Sequence, residues 1–316
     1  MKILFLASGA FALPTLRRLV GGEHEIATVV TQPSRPKGRG RKAGRTPVGA
    51  VAQDAGLSVL EVRDVNNPAL VEQLRAHRAT LGLVIAFGQK LGPDLLGSVP
   101  VGFINLHASL LPKYRGAAPI NWAILRGEEK TGVTVFRINE RMDAGAILTT
   151  RWTYIKPEET AEELHDRLAA VGVDAVDAAL ELFAGGNIPE GEPQDESQAT
   201  RAPKLSKADG LIDFTRPAGE VVNHILGMWS WPGAAARYES ADGRWEVVQL
   251  ARVRLAESDE VPDIPPGQID ERRYVAAGGG YIEILELKPA SGKLMSWREY
   301  VNGRHVKAGD RFVTPE

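Results

Sequence analysis

Residues 101–116 read V-G-F-I-N-L-H-A-S-L-L-P-K-Y-R-G. The V-G-F-I run predicts a buried strand, yet that strand ends in Asn105 and His107 and runs on into a loop carrying Lys113 and Arg115. Burying an amide and an imidazole without partners is costly, so the fold either satisfies them or uses them. Residues two apart on an extended chain face the same side, which sets Asn105 beside His107. A third polar residue, Asp143 in R-M-D-A-G-A-I-L, follows the apolar run 132–138, and Gly145 permits a tight turn next to it. An amide N–H and a protonated imidazole both suit the oxygen of a carbonyl under attack. A neighbouring carboxylate orients an imidazole, favours its charged form, and can take a proton from an amine nucleophile. The trio therefore reads as acyl or formyl transfer through a tetrahedral intermediate, with no metal. The other reading stays open on spacing alone. An Asn-x-His at a strand end also serves as a turn cap, and an Asp so near a Gly is an ordinary turn signal.

Strand and helix signals alternate through the first half of the chain. Strands are expected at 2–7, 25–31, 57–62, 81–87, 101–107, 132–138 and 146–152, and helices at 11–21, 47–55, 68–77, 116–126 and 158–183. Such βαβ alternation predicts an α/β domain: a Rossmann-like, mostly parallel sheet with helices on both faces. Open sheets of this kind bind ligands at the C-terminal ends of their strands, where Asn105 and His107 lie. Residues 185–207 are polar and rich in Gly and Pro, which is a linker composition. Beyond them a helix at 218–228 precedes short strands at 234–238, 245–255, 268–270, 273–277 and 281–287, the pattern of a small β-barrel. The expected division is a catalytic domain at 1–188, a linker at 189–205 and an OB-like barrel at 206–316.

The bulk numbers bound the partners. A formal net charge of −2 over 316 residues does not mark a nucleic-acid binder, so any such role needs a local patch. There is no cysteine, which removes disulfides, thiolate nucleophiles and cysteine metal sites and is compatible with the cytosol. The remaining histidines show no metal-ligand spacing, so no metal is expected. The opening M-K-I-L-F-L-A is too short for a signal-peptide core and reads as a strand, and no apolar run suits a membrane helix. A cytoplasmic monomer with no membrane contact is the expectation. One local patch stands out: S-R-P-K-G-R-G-R-K-A-G-R carries Arg35, Lys37, Arg39, Arg41, Lys42 and Arg45 without an acid. It is either a solvated surface loop or a phosphate-binding one. The last third of the chain is nearly balanced in charge. There, only a one-sided patch, such as Arg272, Arg273, Arg304, Lys307 and Arg311, would serve RNA.

Taken together, N-L-H-A-S-L-L-P-K-Y-R-G-A-A-P-I and G-V-T-V-F-R-I-N-E-R-M-D-A-G-A-I-L resemble the formyltetrahydrofolate-dependent formyltransferases. The likeness is greatest to the branch that acts on charged initiator tRNA. It extends through T-Q-P-S-R-P-K-G-R-G-R-K, A-P-K-L-S-K-A-D-G-L-I-D-F, W-P-G-A and P-P-G-Q-I, nearly the whole chain. The resemblance implies transfer of a formyl group from 10-formyltetrahydrofolate to the α-amine of methionine on initiator tRNA. It implies that Asn105, His107 and Asp143 are catalytic. It also implies that Ser109, Leu110, Leu111 and Pro112, with Ala86, Phe87 and Gly88, hold the folate, and that the 34–45 loop meets the tRNA acceptor end. Three departures from the family pattern are Ala7-Ser8-Gly9-Ala10-Phe11, which lacks the usual acidic residue, Ser34, where an Asp is usual, and G-M-W-S before Trp231, which lacks the usual cationic and aromatic pattern. Two rivals remain at this point. One is a transferase with the same donor that acts on an amino-sugar nucleotide. The other is a noncatalytic RNA-binding protein on the same fold.

Overall fold

The computed structural model describes residues 1–37, 42–258 and 260–315. They form two compact units. The first comprises Met1–Ala117, Thr131–Thr153 and His165–Ala202, and the second Ala118–Lys130, Tyr154–Leu164 and the chain from Pro203 onward.

The first unit is built on a seven-stranded sheet. Its order is Ile147–Tyr154, Lys130–Arg137, Phe103–His107, Leu81–Ile85, Lys2–Ala7, Glu25–Thr31 and Val59–Glu61. The pairings from Phe103–His107 to Val59–Glu61 are parallel, and Phe103–His107 pairs antiparallel with Lys130–Arg137. Strands covered on both faces need near-continuous apolar runs. L-G-L-V-I is buried at every position and K-I-L-F-L-A at all but its first. Leu4, Leu6, Val30, Leu74, Val84, Leu95 and Phe103 make one such core, each large side chain contributing about 1.5–3 kcal/mol by leaving water. Thr46 and Asn67 cap the helices Pro47–Asp54 and Pro68–Ala76, each of which carries a proline in its first turn.

Strand order reverses beside Lys2–Ala7. The chain first builds outward to Val59–Glu61, then returns to place Leu81–Ile85 and Phe103–His107 on the other flank. Such a switch point opens a crevice at the strands' C-terminal ends. The strand expected to reach residue 87 stops at Ile85 because Ala86 adopts a left-handed φ of 45°.

The second unit holds a six-stranded antiparallel sheet. Val275–Ala277, Gly280–Pro289, Trp245–Leu255, Ala234–Glu239 and Arg311–Val313 follow in order, and Met295–Ser296 pairs with Gly280–Pro289. Residues 267–269 bring its two edges together. Ile269 bridges to Val275 and Gln268 to Arg311, so the sheet nearly closes into a barrel. This is the segment expected as a strand at 268–270. Gly267 (φ 85°) makes closure possible, because a Cβ there would lie 2.1 Å from the Phe312 carbonyl oxygen. Ile225 of the Ala218–Met228 helix seals the barrel's core together with Val248, Leu250, Ile282, Leu287 and Phe312. The helix Pro119–Leu125 is tied to the same helix by the Asn121 amide, which donates to the Gly227 carbonyl at 2.8 Å. A helix at Trp297–Arg304, with a Ser296/Glu299 capping box, completes this unit. No described helix is long and apolar enough to cross a membrane.

Candidate active site

His107 ends its strand 7% exposed. Its Nε2 lies 2.9 Å from the Tyr114 carbonyl oxygen. A carbonyl only accepts, so Nε2 carries a hydrogen and donates it, which fixes the ring. Nδ1 is left facing Asp143 Oδ2 at 3.8 Å, outside direct hydrogen-bond range. Asp143 Oδ2 in turn accepts the Gly116 N–H at 2.9 Å. Asn105, half-buried two residues before His107, makes no side-chain hydrogen bond among the described residues. The predicted trio is therefore gathered at one strand end, with two members held by main-chain groups and one amide unpartnered.

The backbone is bent to achieve this. Tyr114 (φ 62°) and Asp143 (φ 52°) sit in the left-handed region, as does Ala86 (φ 45°) at the end of the adjacent strand. Non-glycine residues in that region carry strain of about 1–3 kcal/mol, and such strain gathers at functional sites. Gly145 is obligatory, since a Cβ would lie 1.6 Å from the Arg137 carbonyl oxygen.

The Ser109–Pro112 loop is pinned from beneath. The Ser109 hydroxyl is fully buried and donates to the Lys113 carbonyl at 2.7 Å. Thr134 donates to the Ser109 carbonyl at 2.7 Å and accepts the Leu111 N–H at 3.1 Å. Leu111 is buried, while Leu110 and Pro112 are half-buried, and the Leu111–Pro112 peptide is cis. With its hydroxyl engaged in this way, Ser109 holds the loop's shape. Across the switch point, Ala86 and Gly88 are exposed, and the Ala86 carbonyl accepts the Ser8 and Gly9 N–H groups. Phe87 is different. Its ring is buried in the sheet core, and its carbonyl accepts from the Gln32 amide at 2.9 Å.

In the basic stretch, Arg39 and Arg41 lie outside the described residues, as do the side chains of Arg35, Lys37 and Lys42. The backbone of Arg35–Lys37 pairs antiparallel with Lys42–Gly44, and Arg45 is exposed. Both stems are anchored. Ser34 donates through N–H and hydroxyl to the Glu61 carboxylate at 3.1–3.3 Å. Thr46 meets Thr31 hydroxyl to hydroxyl at 2.7 Å. An Asp at position 34 would repel the Glu61 carboxylate.

Sequence reasoning missed a brace behind the trio. Gln194, in the segment expected as a linker, donates through Nε2 to the carbonyls of Asp143 (2.9 Å) and Gly145 (2.8 Å). Its Oε1 accepts from Arg115 at 2.6 and 3.0 Å. Arg115 also grips Glu196, both contacts at 3.0 Å. Arg201–Ala202 pairs in parallel with Arg115–Gly116, and the Thr200 hydroxyl accepts the Tyr114 N–H at 2.8 Å. Nothing in P-Q-D-E-S signals this, because the pairing is decided by a ribbon two residues long.

Comparison with known proteins adds independent findings. The family model for formyl transferase matches residues 1–180, and that for the formyl transferase C-terminal domain matches 204–305. A methionyl-tRNA formyltransferase of Geobacter sulfurreducens is 40% identical over 99% of this chain and 96% of its own length. One of Solibacter usitatus is 39% identical over 99% and 98%. Among solved structures, HypX from Aquifex aeolicus in complex with tetrahydrofolic acid superposes with a TM-score of 0.64 at 19% identity, covering 98% of this chain and 48% of that one. An N-formyltransferase from Helicobacter canadensis, crystallised with folinic acid and dTDP-3-aminofucose, gives 0.65 at 14%, covering 90% and 98%. At such identities the two structures speak for the fold alone. The family models and the full-length relatives say more: this chain belongs to the formyl transferase family.

Proposed function

We propose that the chain moves the formyl group of 10-formyltetrahydrofolate to the α-amine of methionine on charged initiator tRNA. The observation that carries this reading is the unpartnered Asn105 amide beside a His107 whose free Nδ1 faces Asp143. Asp143 Oδ1 has no hydrogen-bond partner among the described residues and can take a proton from the attacking amine, directly or through water. The amine then bonds to the formyl carbon. Charge collects on the formyl oxygen, where Asn105 Nδ2–H and the Nδ1–H of protonated His107 donate to it. Collapse breaks the bond to N10 of the folate, and that nitrogen recovers the proton held by Asp143. Ser109–Pro112 and Ala86–Gly88 flank the place where the pterin would enter, Leu110 offering an apolar surface.

The acceptor rests on the full-length relatives and on the Arg35–Arg45 stretch, whose cations suit the phosphates of an acceptor stem. Residues 1–188 would carry the chemistry, and the barrel at 206–316 would assist tRNA binding. The test offers 10-formyltetrahydrofolate, its activity verified independently, with methionine-charged initiator tRNA, free methionine or an amino-sugar nucleotide. N-formyl product is read by mass spectrometry. Formylation of the charged tRNA alone is expected. Formylation of the sugar, or no transfer at all, overturns the assignment.

A further inference from the structure

We propose that Gln194 is a positioning residue for Asp143, held in place by Arg115; the inference rests on the function proposed above. Every polar atom of the Gln194 side chain is used. Both amide hydrogens go to main-chain carbonyls of the Asp143–Gly145 turn, and the amide oxygen takes two donors from one guanidinium. A guanidinium has donors only, so Arg115 fixes which end of the amide faces the turn. The turn needs holding, because Asp143 sits in the left-handed region at φ 52°. Without the two amide donors its carbonyls lose their partners, and its backbone is free to relax.

Arg115 stands at the centre of the arrangement. The residue before it supplies the carbonyl that anchors His107, and the residue after it supplies the N–H that anchors Asp143. Its own side chain grips Gln194, and Glu196 neutralises its charge. One three-residue segment thus sets both ring and carboxylate, and Gln194 ties the main chain of the Asp143 turn to that same segment. A displacement of about 1 Å at a reacting group costs on the order of a hundredfold in rate, so the tie has a kinetic consequence.

Gln194→Met keeps the volume and removes all four hydrogen bonds. The expected result is a kcat lowered about ten- to a hundredfold, KM for both substrates within about twofold, and a changed pH profile of kcat. The decisive comparison repeats the substitution in an Asp143→Asn background. If Gln194 acts through Asp143, Gln194→Met there costs less than about twofold, because the group it positions no longer functions. Gln194→Glu provides a second variant of native length. It sets a carboxylate against two carbonyls and is expected to lose at least as much as Gln194→Met. Equal losses in the two backgrounds, or a loss that follows melting temperature with an unaltered pH profile, overturn the proposal. So does an undiminished kcat. A wild-type chain inactive toward every acceptor instead strikes the proposed function and this inference with it, whereas equal losses on an active wild type strike the inference alone.

Discussion

The strand end at Asn105–His107 and the outer face of the barrel are both crowded with polar groups, but those groups are satisfied in different ways. At the strand end, the contacts that fix the trio run between side chain and main chain: the His107 ring to a carbonyl, the Asp143 carboxylate to an N–H, and the Gln194 amide to two carbonyls of the Asp143 turn, with only the supporting Arg115 contacts running from side chain to side chain. On the barrel, charges meet other side-chain charges. Arg304 pairs with Glu246, Arg311 with Glu239, Arg272 with Asp270 and Glu260, and Arg244 with Asp242. Main-chain partners cannot rotate away, so they define position. Exposed ion pairs contribute about 0–1 kcal/mol and cancel each other's field. The first arrangement suits chemistry that needs fixed distances. The second engages Arg272, Arg304 and Arg311, three of the five cations expected as a barrel RNA patch, with acids, and leaves Arg273 and Lys307 without an ion pair among the described residues.

The contrast is broken most directly at the strand end. His107→Ala is expected to lower kcat by about a hundred- to ten-thousandfold, with tRNA affinity nearly unchanged. Asn105→Ala removes one donor to the oxyanion and is expected to cost about a hundred- to a thousandfold. Steady-state formylation beside a tRNA binding titration separates the two effects. A kcat within about threefold of wild type for both variants would make this cluster structural and erase the distinction from the barrel.

A substitution of comparable severity on the barrel acts on stability instead. Gly267→Ala drives a methyl into the Phe312 carbonyl at a positive φ, where the two edges of the sheet meet. It is expected to cost about 1–3 kcal/mol, read as a lowered melting transition. Gly145→Ala, equally blocked, is expected to lose catalysis along with stability, because the turn it disrupts carries Asp143. If both glycine variants lose only stability, the Asp143 turn is no more chemical than the barrel seam.

What was legible in the sequence follows the same division. Continuous apolar runs such as L-G-L-V-I announced the parallel sheet, because a strand buried on both faces has no other composition available. The strand-end trio was legible because Asn105 and His107 interrupt such a run. The barrel's short strands were announced by turn residues. The helix Trp297–Arg304 escaped notice although S-W-R-E is a capping-box pattern, since only Trp297 and Tyr300 of it are buried and its apolar stripe is short. The Gln194 brace could not be read at all. Its segment looks like a linker because polar composition reports solvation, whereas its role depends on a tertiary pairing with Arg115–Gly116. The left-handed φ of Tyr114 and Asp143 was equally silent, since neither residue is a glycine.

A smaller effect sharpens the comparison for RNA. Arg45 is exposed at the stem of the basic stretch, whereas Arg311 is paired with Glu239. Arg45→Ala is expected to reduce the slope of log affinity for tRNA against log salt by about 0.7–0.9, the release of about one counterion. Arg311→Ala is expected to leave that slope nearly unchanged. The reverse result would move the phosphate contact from the stretch to the barrel.

The least effect is expected at Glu163, where a main-chain partner and an ion pair meet on one carboxylate. Burial alone would raise its pKa. The Arg252 hydrogen bond, the Thr160 N–H and hydroxyl, and the Arg252 charge outweigh that and bring it from 4.5 down to about 2. A carboxylate depressed in the folded chain contributes stability that is complete above about pH 4.5 and is lost as pH falls toward 2. A fully buried group with such a shift would contribute several kcal/mol, but this side chain is 47% exposed. Solvent screening therefore reduces the measurable share to about 1 kcal/mol. Glu163→Gln is expected to melt slightly below wild type at pH 7, with the two converging between pH 4.5 and 2. Added salt weakens only the Arg252 part. The Thr160 part, a capping box at the start of the Ala161–Glu181 helix, persists. A wild-type advantage at pH 7 that vanishes in high salt would assign the whole effect to the ion pair. One that survives would show that the carboxylate's charge also strengthens the Thr160 bonds, which the Gln variant accepts only through a neutral amide oxygen.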